Sequence, residues 1–460
     1  MSAAPVSKSG ARAGPAAEQM PAGWAMTTLG EIVYASPEKT DPGKNPNVPY
    51  VGLEHIDSGS RRLCGIGKAA DVRSAKSVFR ADDVLYGKLR PYLNKVVRPE
   101  FDGVCSTDIL VFRATEKAHP AFIEHLVSAP QFVEYAMAHA AGINLPRTSY
   151  KKLAEYPVAL PPLAEQRRIV AWLDALMARS RRARALLEEV PTQLAQARQS
   201  LLASAFRGDL TADWRNANRP SETAEELLNR TRMRRSQKSP SARARKEITD
   251  LPETWVSASI DDLSVFLTSG SRDWSAYYKS DGYGVFILAQ NIRPMRLELS
   301  SVQRVSPPAN HRDKARSQIQ EGDILITIVG AGTGQVCRVP RNLADHYVCQ
   351  SVALLRPALA EMGEYLEFYF NANCGAQGQF SELMYGQGRP HLGFDQLREL
   401  SVPLPPQPEQ HEIVCRLNAA FARLDAASTA HQAALIELNR LDQALLSRAF
   451  YGHLVPSSTK

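Results

Sequence analysis

The chain repeats itself once, and that repeat limits its architecture more than any other property. Pro161-Pro162-Leu163-Ala164-Glu165-Gln166-Arg167-Arg168-Ile169-Val170 returns as Pro405-Pro406-Gln407-Pro408-Glu409-Gln410-His411-Glu412-Ile413-Val414. Leu201-Leu202-Ala203-Ser204-Ala205-Phe206-Arg207-Gly208-Asp209-Leu210 returns as Leu445-Leu446-Ser447-Arg448-Ala449-Phe450-Tyr451-Gly452-His453-Leu454. Residues 161–210 align on 405–454 without a gap, and 19 of the 50 positions are identical. A period of 244 residues is too long for a solenoid of short repeats. It describes one domain-plus-helix unit duplicated in a single chain.

The repeated segment itself is helical. Ile169, Leu173, Leu176, Ser180, Ala183, Leu187, Val190, Leu194, Ala197 and Leu201 fall at alternating four- and three-residue steps. Ile413, Leu417, Ala420, Leu424, Ala427, His431, Ala434, Leu438, Leu441 and Leu445 keep the same register. A stripe recurring every 3.5 residues is a coiled-coil seam, and equal length and register favour pairing of the two helices within the chain. Pro-Pro before each Glu sets the helix starts, and Gly208 and Gly452 set the stops. Pro191, whose counterpart is Leu435, predicts a bend or break. Each helix of about 42 residues is roughly 60 Å long. An antiparallel pair of that length suits a partner with two recognition sites and an unread spacer, and duplex DNA fits that description.

The rest of each half reads as a mixed α+β domain. Runs such as Tyr50-Val51-Gly52-Leu53, Asp83-Val84-Leu85-Tyr86, Asp323-Ile324-Leu325-Ile326 and Val352-Ala353-Leu354-Leu355-Arg356 read as strands between turn residues. Helical spacing follows at 120–140 and 361–384. The expected order is an arm over 1–20, a domain over 21–150, a repeat helix within 151–214, a basic linker over 215–250, a second domain over 251–394, and a distal repeat helix within 395–460. The fold class is therefore α+β: two globular α/β domains separated by two long helices that pair as an antiparallel coiled coil.

Composition narrows the function. There are 55 Lys and Arg against 48 Asp and Glu, and the pI is near 9.0, which permits a polyanionic partner without demanding one. Seven basic residues and no acid lie between Thr231 and Lys246 (Arg232, Arg234, Arg235, Lys238, Arg243, Arg245, Lys246). That run is either a solvated linker or a strap on DNA phosphates. Six scattered cysteines without a C-x-x-C pair argue against a zinc site and for a reducing compartment. No apolar run is long enough to span a bilayer, and residues 1–20 lack a signal-peptide core. A cytoplasmic protein with no membrane partner is expected.

Catalytic patterns are missing. Gly330-Ala331-Gly332-Thr333-Gly334 lacks the Lys of a phosphate-binding loop and reads as a flexible turn. There is no Asn-Pro-Pro-Tyr-like run for amino methylation of a base and no Glu-x-Lys of a nuclease core. The histidines show no metal-ligand spacing, so no metal site and no catalytic residue is assigned. Binding or scaffolding is the expected role.

Domain, Pro-Pro-x-x-Glu-Gln-x-x-Ile-Val, long helix and Leu-Leu-x-x-Ala-Phe-x-Gly-x-Leu, all duplicated, together resemble the specificity subunits of type I restriction-modification systems. Gly87-Lys88-Leu89-Arg90-Pro91-Tyr92-Leu93-Asn94-Lys95-Val96 and Cys105-Ser106-Thr107-Asp108 also look like segments of that family's target-recognition domains. The resemblance implies a non-catalytic subunit in which each domain reads one half of a bipartite, asymmetric site on double-stranded DNA. It further implies docking of two methyltransferase (M) and two restriction (R) subunits. S-adenosylmethionine, ATP and Mg are then expected on those partners, with no cofactor in this chain. The other readings are a specificity scaffold for a different methyltransferase or nuclease assembly, a self-paired DNA-binding protein, and a coiled-coil protein with no DNA role.

Candidate DNA contacts follow from side-chain chemistry. Arg and Lys suit guanine or phosphate, and Asn suits adenine. In the first domain these are Lys88, Arg90, Tyr92, Asn94 and Lys95 on one loop, and Asn144, Arg147, Thr148 and Ser149 on another. In the second they are Arg272, Trp274, Asn291, Arg293, Arg389 and His391. The helix pair and its docking face are expected to use Glu165, Gln166, Ile169, Leu173, Leu187, Leu194 and Leu201, with Glu409, Gln410, Ile413, Leu417, Leu438 and Leu445. Because the two domains share few residues, their half-sites should differ.

Overall fold

A computed structural model describes residues 20–235, 244, 246–272 and 274–450. Residues 1–19 of the expected arm, the linker residues Lys238, Arg243 and Arg245, and the stop at Gly452 lie outside the described residues. The chain divides into two compact units, residues 1–188 with 431–460, and residues 189–430. No helix among the described residues is long and apolar enough to cross a membrane.

In the first unit a four-stranded sheet runs in the order Val33–Ala35, Ile109–Ala114, Val84–Gly87, Val96–Val97. A five-stranded sheet runs in the order Lys39–Thr40, Lys76–Phe79, Gly103–Cys105, Pro49–Val51, Gly67–Lys68. Helices Pro120–Ser128 and Pro130–Ala138 each open on a proline, whose fixed φ and missing N–H suit a first turn. Phe122 and Phe132 enter a core shared with Ile169, Val170, Leu173 and Met177 of the first long helix. Leu446, Ala449 and Phe450 of the second long helix join the same core, with Phe450 edge-on to Phe122 at 5.2 Å.

The second unit repeats the four-stranded pattern as Ser264–Ser269, Val352–Pro357, Ile324–Thr327, Val336–Arg338. Beside it lies a three-stranded sheet of Gln303–Val305, Gly284–Ile287 and His346–Val348. Its core takes in Leu202, Ala205 and Phe206 together with Ile413, Val414, Leu417 and Phe421. The stretch expected as linker contains a helix, Ala224–Met233, started by a Thr223–Glu226 capping box. Arg232 pairs with Asp262 at 2.8 Å and Arg235 with Asp261 at 2.5 Å. Arg235 is thereby buried against its own domain, while Arg232 keeps nearly half of its side chain in solvent.

Both long helices are unbroken, Leu163–Phe206 and Gln407–Phe450, 44 residues each. The first continues as helix through Pro191, so the expected break is absent. They run antiparallel in each unit. In the first, Leu187 meets His431 and Arg184 reaches Asn439 and Asp442. In the second, Arg198 pairs with Asp425 and Arg416 reaches the Leu210 carbonyl. The seam drifts from the expected 3.5-residue stripe. Met177 and Phe421 are buried one place beyond Leu176 and Ala420, while Leu441 is 52% exposed and Ala427 is exposed. A straight helix drifts only about 20° per heptad from a strict 3.5-residue repeat, so packing against each domain decides which side chain turns inward.

Of the expected docking residues at the helix starts, Glu165 is half-buried, and Gln166, Glu409 and Gln410 are interior. Gln166 is fully buried; its Oε1 accepts from the His119 N–H at 2.7 Å and its Nε2 donates to the Lys117 and Pro161 carbonyls. Gln410 donates to the Pro405 carbonyl at 2.9 Å. Buried Glu409 accepts from Thr211, Arg215 and the Trp255 indole N–H. Each secures a helix to its own domain. Ile169, Leu173, Ile413 and Leu417 are core residues too, leaving Leu187, Leu194, Leu201, Leu438 and Leu445 half-buried along the pair.

A second duplicated device is an Asp–Arg clamp across neighbouring strands. Arg113 grips Asp83 at 2.8 and 2.9 Å, and Arg356 grips Asp323 at 2.7 and 2.8 Å. Burial holds the Asp323 carboxyl above its ordinary range despite Arg356. Arg356→Met strands that carboxyl and should cost roughly 3–5 kcal/mol, while adding Asp323→Leu should recover most of it. Because the folded pKa is raised, stability of Arg356→Met should fall as pH rises from 3.8, where the unfolded carboxyl ionises. It should level once the folded carboxyl has ionised too. Urea unfolding of the full chain across pH measures both effects.

Candidate nucleic-acid interface

Two loops distant in sequence are bonded into one surface in the first unit. Strand Val84–Gly87 leads into a tight turn in which Arg90 (φ 51) and Asn94 (φ 48) are left-handed and flank the 3-10 turn Pro91–Leu93. Helix Pro130–Ala138 leads into the second loop, closed by reciprocal backbone bonds between Ala141 and Arg147. The Arg90 N–H donates to the Pro146 carbonyl at 2.7 Å, and the Thr148 N–H donates to the Lys88 carbonyl at 3.0 Å. Leu89 and Arg147 form an antiparallel bridge. Lys88, Arg90, Tyr92, Asn144, Arg147 and Ser149 are thus brought together, Lys88 half-buried and the others exposed. Arg147 is steadied by Asp108 at 3.0 Å yet keeps half of its side chain in solvent.

Three of the expected residues on these loops are framework instead. The Lys95 Nζ donates to the Leu53 and Ile56 carbonyls at 2.6 and 2.8 Å. The Asn94 amide donates to the Ser128 carbonyl at 2.8 Å. Thr148 is buried. A cation or amide on a loop suits DNA and backbone capping equally well, so composition alone could not separate these from Arg90 and Arg147.

The second unit builds the same surface from different residues. Val329 and His391 form the bridge that Leu89 and Arg147 form in the first, and the Leu392 N–H donates to the Ile328 carbonyl at 3.0 Å. Lys88-Leu89-Arg90 is replaced here by Ile328-Val329-Gly330. Gly330 (φ 111) sits where Arg90 is left-handed, a conformation glycine adopts without steric cost. The Gly330–Gly334 run is the turn of a hairpin, closed by Thr327 and Gln335 and held to the other loop by the Thr333 hydroxyl, which donates to the Pro390 carbonyl. Arg293 approaches Gln335 at 3.4 Å from the neighbouring two-stranded ribbon, and Arg389 and His391 are exposed. Arg272 is exposed beside the Ser271–Cys349 bridge.

Two expected residues of this unit are corrected. Trp274 is buried against Phe286 and Tyr347. Asn291 is buried, accepting from the Leu288 N–H and donating to the Glu298 and Ser301 carbonyls, so its amide holds a turn. The structure adds residues that side-chain chemistry passed over. Ile143 is 100% exposed at the tip of the first unit's second loop, and Tyr385 is 91% exposed ahead of Arg389. The available signal was an apolar residue next to a glycine in each loop, Gly142-Ile143 and Tyr385-Gly386.

Arg90 also stores strain, since a left-handed non-glycine residue costs about 1–2 kcal/mol. Arg90→Gly keeps the backbone bonds and should raise stability by up to about 1 kcal/mol, after the greater chain entropy of glycine is set against the relief. Lys95→Ala, leaving two carbonyls without their donor, should lower it by about 1–3 kcal/mol. Thermal melts of the two variants separate surface from framework.

The geometry can be set beside known proteins. The family model of the type I restriction modification DNA specificity domain matches residues 21–192 and again 252–437. The chain is 31% identical over 201 residues to the type I restriction enzyme EcoDI specificity subunit of Escherichia coli, covering 43% of this chain but only 45% of that relative. With the EcoKI specificity subunit of Escherichia coli K12 it shares 22% over 457 residues, 95% of this chain and 90% of the relative. A solved structure concerned with assembly and conformational transition of the type I R-M system matches with TM-score 0.72 and 26% identity, over 95% of this chain and 99% of that one. The match falls once on each duplicated half, and the chain belongs to the type I restriction-modification DNA specificity family.

Proposed function

We propose that this chain is the DNA-reading subunit of a type I restriction-modification complex, with one half-site read by each unit. One observation carries the proposal. The same two loops are bridged in the same way in both units, yet they present Arg90 and Arg147 in one and Val329, Gly330 and His391 in the other. A shared scaffold with different side chains reads different bases, so the site is asymmetric. Arg90 and Arg147 suit guanine or phosphate, and His391 and Arg389 suit the second half-site. Ile143 and Tyr385, exposed apolar tips beside cations, suit contact with base faces or thymine methyls. The methyltransferase and restriction chemistry, with its S-adenosylmethionine, ATP and Mg, belongs to partner M and R subunits, two of each, docked on the helices. The chain itself neither methylates nor cleaves. A specificity scaffold for another assembly is the second reading, and an adjacent gene for an adenine methyltransferase decides between them.

Methylome sequencing of the host with and without the gene tests the proposal: one bipartite adenine-methylated motif should vanish. Arg90→Ala and Arg147→Ala should each cost about 1–3 kcal/mol and relax one position of a single half-site. Uniform weakening on all sequences reassigns them to phosphate, and an unchanged motif removes both from the interface.

The helix pair is proposed to set the spacer. Four residues inserted between Gln196 and Ala197, matched by four between Ala426 and Ala427, add about 6 Å, close to two base pairs. The methylated motif should keep both half-sites and gain a longer spacer. An unchanged spacer in a folded variant sinks the ruler.

A further inference from the structure

Pro191 creates a defect in the first long helix, and His431 fills it. In an α-helix the carbonyl of residue i accepts from the N–H of residue i+4, and proline has no N–H. The Leu187 carbonyl is therefore left without its intrahelical donor. His431 Nε2 lies 2.8 Å from that oxygen. A carbonyl only accepts, so Nε2 carries the proton. The two residues stand 244 apart, the offset of the duplication, so each is the other's counterpart in the repeat. Leu435, the counterpart of Pro191, makes no such defect. The duplication has therefore diverged at two positions together: a helix breaker on one copy, and on the other copy a donor for the carbonyl it frees.

The surroundings make the bond matter. The domain cores take in the first helix up to Met177 and from Leu201 onward. Between those points the seam is thin. Leu187, Val190 and Leu194 are half-buried and Leu186 is 70% exposed, and on the other helix Ser428, Ala434, Leu435 and Leu438 are half-buried. An interior proline in so lightly packed a stretch is a joint at which a helix bends.

We infer that His431 braces the joint at Pro191 and so determines how strictly the chain selects one spacer length. The inference rests on the spacer reading above. His431 acts through the helix and is a positioning residue, so its test must read spacer tolerance as well as stability.

The test compares His431→Leu, Pro191→Leu, the double variant and His431→Gln, each as the full chain in its host, by methylome sequencing. His431→Leu should methylate sites with spacers one base pair too long or short, with discrimination reduced roughly five-fold, the weight of about one hydrogen bond. His431→Gln keeps a donor and should retain one spacer. In the double variant the backbone at position 191 regains an N–H and donates it to the Leu187 carbonyl, so the single spacer should return. Strict spacing in His431→Leu, or no rescue by Pro191→Leu, overturns the inference.

Melting curves of the purified chains test the brace apart from any DNA reading. Exchanging His431 for Leu should be less favourable in the wild-type chain than in the Pro191→Leu background, by roughly 2–4 °C. Equal shifts in the two backgrounds refute the brace. Unequal shifts with no bipartite motif in the wild type confirm the brace and refute its link to spacing.

Discussion

A buried amide at the first turn of a helix is what lets a globular domain dictate where a long helix goes. Gln166 meets three backbone groups of its own unit, the His119 N–H and the Lys117 and Pro161 carbonyls. Each of those groups is costly to bury unpaired. The helix start is thereby tied to the loop before helix Pro120–Ser128 by bonds with direction, which apolar packing alone lacks. At the second helix start the fastening falls chiefly to Glu409, whose carboxylate accepts from Arg215, Thr211 and the Trp255 indole, while Gln410 donates to the Pro405 carbonyl. Prolines end the strand and start the helix, and a buried polar side chain, Gln166 in one copy and Glu409 in the other, closes the joint. These residues serve cohesion within each unit.

Much of the architecture was legible because it rests on local rules. Duplication, helix starts at Pro-Pro, the stop at Gly208 and strands such as Asp323–Ile326 all follow from short-range chemistry. The phase of the seam was not legible beyond a few turns. The 3.5-residue template picks Leu176, but packing against the domain turns Met177 inward. The interface was legible only in pieces. Arg90 and Arg147 were each identifiable, but the Leu89–Arg147 bridge that unites their loops spans 58 positions and has no local signature. Lys95, Thr148, Trp274 and Asn291 show the opposite failure. Their polar atoms are as fit for closing a turn or lying in a core as for meeting a base, and burial alone tells the difference.

The two units also show how a duplicated scaffold diverges in what it recognises without diverging in fold. The Asp83–Arg113 and Asp323–Arg356 clamps, the four-stranded sheets and the loop-to-loop bridges are common to both. Change is concentrated in the side chains those bridges display. Arg90 is the clearest instance. It occupies a left-handed position that its counterpart fills with glycine, so the first unit bears a conformational cost there that the second does not.

The same reasoning applies at Pro191, where the cost falls on the helix instead of a loop. A histidine in a seam weakens it, and a proline in a helix removes one of its backbone bonds. Together they form one satisfied unit, because the carbonyl that the proline frees is the acceptor that the histidine needs. A polar contact in a coiled coil lowers stability while excluding alternative registers and bends. In a helix pair whose middle carries little apolar contact, a directed bond fixes a local geometry that apolar packing there leaves loose.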